Sequence, residues 1–238
     1  MSSLYLVRHG QAGLRDDYDK LSDLGHWQAR LLGEHLAAQQ VRFSAVYSGA
    51  LRRQRETAAE VLNAMAAAGI PTPEPQVDEH WNEFDLDAVY DAIAPQLSAD
   101  DADFRAEHEK LRRMLTEQGS SVHRTWTRCD TLLVRAWVEG KYAYDGESWE
   151  AFRQRVLAPL EVLSQVPKEE TVAVFTSATP IAVWIGMALE LNGRHMMRLG
   201  GAMHNSALST MRAREDDLAL FSFNGTPHLP APHLRTFR

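Results

Sequence analysis

The string "LYLVRHGQAG" at residues 4–13 runs from a short apolar stretch straight into Arg8, His9 and Gly10. A neutral imidazole beside a fixed guanidinium charge suits attack on phosphorus: the arginine grips an oxyanion while the histidine supplies the electron pair. A capped strand end also accommodates an arginine, a histidine and a turn glycine, so the triplet decides nothing alone. Two further strings offer anion ligands of compatible type. One holds Ser48 followed by Arg52, Arg53 and Arg55; the other is "TSATP" at 176–180, with Ser177, Ala178 and Thr179.

Each string follows a short strand. Leu4 to Val7, "FSAVYSG" and the continuous run "TVAVF" are strand-like, and each is followed by a helical pattern. Leu24, Trp27, Leu31, Leu32 and Leu36 recur at helical spacing, with Ser22 or Asp23 as the N-cap. "LRRQRETAAEVLNAMAAAG" is a second helix, stopped at Gly69, and a third runs through "PIAVWIGMALELNG". The alternation predicts an α/β fold, a three-layer α/β/α sandwich on a mainly parallel sheet, whose ligand site lies beyond the carboxyl ends of the strands. "SALSTMRA" and "DLALFSF" predict an edge hairpin turning around "REDD", and the proline-rich segment after it an irregular run over the surface. Between about 86 and 145 the pattern is helical only, which predicts an insertion over the C-terminal strand ends within one domain spanning 1–238.

The composition narrows the class. With 238 residues, 45% apolar and 24% charged, the chain can bury a sizeable core. A net charge of −7 argues against a general nucleic-acid binder, which needs surplus Lys and Arg to displace counterions. No apolar run approaches the roughly 20 residues of a membrane span, and the first run is short and lacks the basic leader of a signal peptide. The single cysteine, Cys129, excludes an intrachain disulfide. These features predict a cytoplasmic location, with neither nucleic acid nor membrane as partner; a homodimer through a sheet edge or the helical segment is compatible with the pattern.

Taken together, "LVRHGQA", "LSDLGHWQA" and "YSGALRRQRETA" resemble the histidine phosphatase superfamily, the phosphoglycerate-mutase-like enzymes, with their LVRHGxT, LTxxGxxQA and YSSxLxRAxQTA patterns. "GESWEAFRQRV" at 146–156 and Asn205-Ser206 extend the resemblance along the chain. It implies that His9 takes up a phosphoryl group covalently. It further implies that Arg8 and Arg53 clamp the phosphate oxygens, and that Gly10 lets the backbone approach the oxyanion. A glutamate in "VDEHWNEFD" would protonate the leaving group; Glu83 matches best, with Glu79 and Asp85 as neighbours. No metal and no cofactor are implied, and His80 has no second ligand at convincing spacing.

One position departs from the pattern. The family's second histidine stands in a string such as VVSHGG, whereas this chain has Ser177, with Ala178 and Thr179 in place of the glycines. A charge-assisted hydrogen bond to phosphate contributes about 1.5–3 kcal/mol, so its loss weakens a reaction whose nucleophile is intact without erasing it. Ser177 or Ala178 would take over at the phosphate, helped by Thr179 and a helix N-terminus beyond it. Three functions are open, in order of preference. They are a phosphomonoester hydrolase acting through phospho-His9, a weakened or inactive member that holds a phosphorylated ligand, and a phosphoglycerate mutase. Arg112, Arg113, Arg124, Arg128 and Arg135 in the helical segment are candidates for further anion contacts, and Trp126, Trp137 and Trp149 for core or interface anchors.

Overall fold

The computed structural model describes residues 2–117, 120–160, 169–214 and 217–237. Strand β1, Ser2–Arg8, buries Leu4, Leu6 and Val7. The chain crosses to α1, Asp23–Ala38, whose N-cap Ser22 accepts from Gly25 N at 3.1 Å. Strand β2, Ala45–Ser48, leads into α2, Arg52–Ala67; the Asp19 carboxylate accepts from Arg52 N at 3.1 Å and Arg53 N at 3.4 Å, capping the helix from a distant loop. Helix α2 ends just before Gly69, whose φ of +81° turns the chain where a side chain would be strained.

A two-residue strand β3, Gln76–Val77, precedes the helices α3, Leu86–Asp100, α4, Ala102–Leu115, α5, Arg128–Val138, and α6, Trp149–Leu157. Helix α5 begins at Arg128 because Thr127 and Asp130 close a reciprocal cap; Thr127 N donates to Asp130 Oδ2 at 2.6 Å. Strand β4, Thr171–Thr176, then feeds α7, Ala178–Ala188, and α8, Gly193–Gly201. Strands β5, Leu208–Arg214, and β6, Asp217–Gly225, pair antiparallel as the hairpin reading requires, and residues 215 and 216 of its turn lie outside the described residues.

The strand order among the described residues is β3-β2-β4-β1-β5-β6, with β1 to β4 mutually parallel. Eight described α-helices flank this mainly parallel sheet. One face carries Leu6 and Val174 against α3, α5, α6 and α7, where Ile93, Trp137, Phe152 and Trp184 are buried. The other carries Val7, Val46 and Phe175 against Leu32 and Leu36 of α1 and Val61 and Met65 of α2. Each such burial contributes about 1.5–3 kcal/mol, and β4 is apolar without interruption from Val172 to Phe175 because it is covered on both faces. Register aligns the exits: Arg8 pairs with Thr176 and Ser48 with Phe175, so the loops after β1, β2 and β4 open at one edge.

The C-terminal segment runs irregularly and largely over the surface, as expected, but it is anchored into the molecule at several points. His228 and Leu229 are buried, and residues 236 and 237 enter the cavity described below. Its prolines prevent a ladder but not burial, because side chains meet its polar groups: Gln28 Nε2 donates to Leu234 O at 2.7 Å and to Thr236 Oγ1 at 3.0 Å. No described helix is long and apolar enough to cross a membrane.

Candidate active site

His9 leaves the end of β1 with its backbone held from three sides. Its N–H donates to Thr176 O at 2.9 Å, and its carbonyl accepts from Ser206 N at 3.0 Å and Asn205 Nδ2 at 3.4 Å. The ring Nδ1 lies 2.8 Å from Gly10 O. A carbonyl only accepts, so Nδ1 carries the proton and the Nε2 lone pair is left for chemistry. Burial, reinforced by Arg53 and Arg8, holds this imidazole well below the usual histidine range and therefore neutral near pH 7.

Both arginines are buried. The Arg8 guanidinium donates to Met203 O and, at 2.6 Å, to Phe237 O, and it contacts the Tyr18 hydroxyl. Arg53, in the first turn of α2, donates to Asp19 Oδ1 at 2.9 Å and lies 4.9 Å over the Tyr18 ring, which meets the His9 ring edge-on at 6.3 Å. The Nε groups of Arg8 and Arg53 are buried without a partner among the described residues. Two orphaned N–H donors on cations beside a neutral imidazole fit a phosphoryl oxyanion.

Glu83 completes the set. Burial pushes its carboxyl above the ordinary carboxylate range, although its oxygens accept from Thr179 N and Phe84 N at 3.2 Å each and Arg53 opposes the shift. Its backbone is tied down from behind: Arg155 forks onto both carboxylate oxygens of Glu147 at 2.6 and 2.9 Å, while its Nη1 donates to the carbonyls of Glu79, His80 and Asn82 at 2.9 to 3.3 Å. The "GES…RV" string thus acts as a brace for the segment that presents Glu83. Glu79 forms part of this braced turn, Asp85 caps α3 through Ala88 N at 3.0 Å, and His80 is spent on Asp78.

Arg8, His9, Arg53 and Glu83 line one cavity of about 1340 Å³, with Tyr18 and Asp19 from the β1–α1 loop, α5 on another wall, and Ala178 and Thr179 at the start of α7. A model of the histidine phosphatase superfamily, branch 1, matches residues 4–141 and 131–226. The chain belongs to the histidine phosphatase superfamily. Among sequence relatives, the mitochondrial serine/threonine-protein phosphatase Pgam5 of Caenorhabditis briggsae is 37% identical over 60 residues, 25% of this chain and 21% of that protein. The 2,3-bisphosphoglycerate-dependent phosphoglycerate mutase of a Methylobacterium strain is 35% identical over 91 residues, 34% of this chain and 41% of that one. The matches therefore span between about a fifth and two fifths of these relatives' lengths.

Solved structures match nearly end to end. A putative alpha-ribazole-5'-P phosphatase from Escherichia coli superposes with a TM-score of 0.63 at 19% identity, over 95% of this chain and 98% of that one. A mycobacterial glucosyl-3-phosphoglycerate phosphatase in complex with inorganic phosphate gives 0.59 at 20%, over 95% and 98%, and a mutant phosphoserine phosphatase from Entamoeba histolytica with phosphoserine gives 0.59 at 19%, over 96% and 100%. At such identities the likeness is one of fold.

Within this superfamily member, three residues stand differently from expectation. Ser177 is 1% exposed and its Oγ accepts from Gln54 Nε2 at 2.9 Å; the cavity wall is formed by Ala178 and Thr179 instead. Gly10 does not line the cavity either. A Cβ there would lie 2.4 Å from Gly25 O, and one on Gly25 2.1 Å from Gln11 O, so the glycine is needed where α1 crosses the loop. Thr179 N is already given to Glu83, so the α7 N-terminus serves the carboxyl group before any phosphate.

Of the five arginines in the helical segment, Arg124 and Arg135 line the main cavity, Arg112 lines a neighbouring one of about 280 Å³, and Arg113 and Arg128 line neither. Trp126 lines the main cavity, whereas Trp137 and Trp149 are core. Sequence reasoning missed Tyr18, Asp19, Gln54, Arg194 and Arg198. Only the Arg194 and Arg198 spacing of one helical turn left a trace in the sequence.

Proposed function

We propose that this superfamily member is a phosphomonoester hydrolase acting through a phosphohistidine on His9. The observation that carries this is the convergence on one cavity of a neutral His9 with its Nε2 lone pair unspent, two buried guanidinium groups with unpartnered Nε–H donors, and a Glu83 carboxyl raised by burial. His9 Nε2 attacks phosphorus as the bond to the leaving oxygen breaks, and the Glu83 carboxyl delivers its proton to that oxygen. The Glu83 carboxylate then takes a proton from water, whose oxygen attacks the phosphohistidine, releasing phosphate and restoring both groups. Arg8 and Arg53 set two positive charges against the dianion, with the Tyr18 hydroxyl beside Arg8.

Residues 86–145, read as an insertion, supply α3 and α5 to the cavity wall and so bear on substrate choice. Ser177 in place of the second histidine favours a second reading, retention of a phosphorylated ligand without turnover. One assay separates the two. Incubation with 4-nitrophenyl phosphate should release phosphate through an acid-labile phosphoprotein, and His9→Ala should do neither. Equal background from both proteins, with thermal stabilisation by inorganic phosphate, would establish the binding reading instead.

A further inference from the structure

Arg8, His9 and Arg53 occupy one part of a cavity whose volume exceeds the roughly 300–1,000 Å³ that encloses drug-sized ligands. A small phosphorylated acid leaves most of it unused. Another wall is built by α5 and α8. Val134 and Val138 of α5 and Met197 of α8 give it an apolar strip, and Arg135, Arg194 and Arg198 stand on the same wall. Glu139 Oε1 accepts from Arg135 Nε at 2.9 Å and forms an ion pair with Arg194 Nε at 3.5 Å, drawing the two helices' guanidinium groups together. Two cations thus share one carboxylate, and Arg198, on the same wall, pairs with no carboxylate among the described residues. The cavity's aspartates all come from other elements.

Helix α8 gives this wall a direction. Just beyond its end, Met203 O accepts from Arg8, which places the helix's last turn at the phosphoryl pocket. With a rise of ~1.5 Å per residue, Arg198 and Arg194 lie about 5 and about 11 Å back from Gly201 along the axis. A molecule held by its phosphoryl group at Arg8 and Arg53 therefore runs past the level of Arg198, Met197 and the two valines before it reaches Arg194.

Resting on the hydrolase reading, we propose that the substrate is a phosphomonoester with an apolar or aromatic body about 10 Å long that ends in a second anionic group, bound by Arg194 and Arg198. The second anion completes the charge balance that Glu139 leaves unfinished, and the apolar body displaces water from the strip between the poles.

The test uses three probes on the full chain: phenyl phosphate, biphenyl-4-yl phosphate and its 4'-carboxylate. The expected kcat/KM rises about tenfold at each step, mainly through KM, since a second ring adds burial and the carboxylate adds a charge-assisted contact. In an Arg194→Gln/Arg198→Gln variant the preference for the carboxylate over the neutral biphenyl should collapse towards unity, and raised salt should shrink it in the parent. Calorimetric binding of the same probes to His9→Ala should follow the same order. Equal constants for the three probes, or a carboxylate preference that survives the double substitution, would overturn the proposal. Ordered binding without turnover in the parent would count against the hydrolase and leave the second anion pole standing; neither binding nor turnover would remove both.

Discussion

Arg8 and Arg53 near His9, and Arg194 and Arg198 on the α5–α8 wall, are the same side chain in two settings. The first pair is 6% exposed, held by backbone carbonyls or Asp19, and each keeps one buried N–H unspent. The Arg194 side chain is 49% exposed and shares a glutamate at 3.5 Å. Burying a guanidinium costs several kcal/mol unless an anion repays it, so the inner pair makes sense as a fixed receptor for charge that must be met in one geometry. The outer pair sits in water, where an ion pair contributes about 0–1 kcal/mol and a mobile side chain can follow its ligand. Chemistry at phosphorus demands preorganisation, whereas recognition of a distant anion tolerates motion.

The contrast can be broken from the inside outwards. His9→Ala should lower kcat/KM by at least about 10³-fold in a phosphate-release assay, since it removes the attacking atom itself. Next comes acid sensitivity, which belongs to the buried end. His228 donates to or accepts from Ser206 Oγ at 3.0 Å behind the His9 carbonyl, and burial, with His35, pulls it down to about 4. The unfolded chain, with histidine near 6.5, takes up this proton first, so stability present above pH 6.5 is lost as pH falls towards 4. The loss is about 3 kcal/mol at ~1.36 kcal/mol per pH unit. His228→Asn should flatten that part of the dependence in denaturant titrations at pH 7 and 4.5; an unchanged slope would show that His228 titrates normally.

Glu83→Gln should cost about 10²-fold in kcat/KM and abolish the basic limb of its pH profile. The signs follow from the two shifts. His9 must be neutral, so activity falls only on acidification below the usual histidine range; Glu83 must be protonated, so activity falls as pH rises through its raised value. Smaller again is Arg155→Met, which should lower kcat about tenfold with little change in KM for 4-nitrophenyl phosphate, because the brace only positions Glu83. Arg155→Lys, lacking the fork, should recover part of that loss; a change confined to KM would mean that the brace shapes binding instead.

Much of the site was legible because its residues sit where strands end. A strand that delivers Arg8 and His9, and a helix first turn that carries Arg53, are local consequences of short strings, and the order of strands and helices follows from alternation alone. Glu83 was legible through its neighbours in "VDEHWNEFD". Tyr18 and Asp19 were not, since nothing in "LRDDYDKL" says that the loop folds back over α2 until Asp19 is seen capping it. The C-terminal segment was legible only as an irregular surface run: a proline-rich string predicts the absence of a ladder, not the hydrogen bonds that tie it to Gln28 and Arg8.

By itself, then, the chain's sequence picked out Arg8, His9, Arg53 and Glu83 as candidates and determined the layered sheet that carries them, because periodicity and strand ends are local properties of the chain. Only the tertiary structure decided that the Ser177 hydroxyl accepts from Gln54 and lies outside the cavity wall, that Gly10 packs closely against Gly25 of α1, and that Arg194 and Arg198 share a wall with α5. Which way a side chain turns at a helix start, and which helices meet across a cavity, are set by contacts between residues far apart in sequence, where no local pattern reaches.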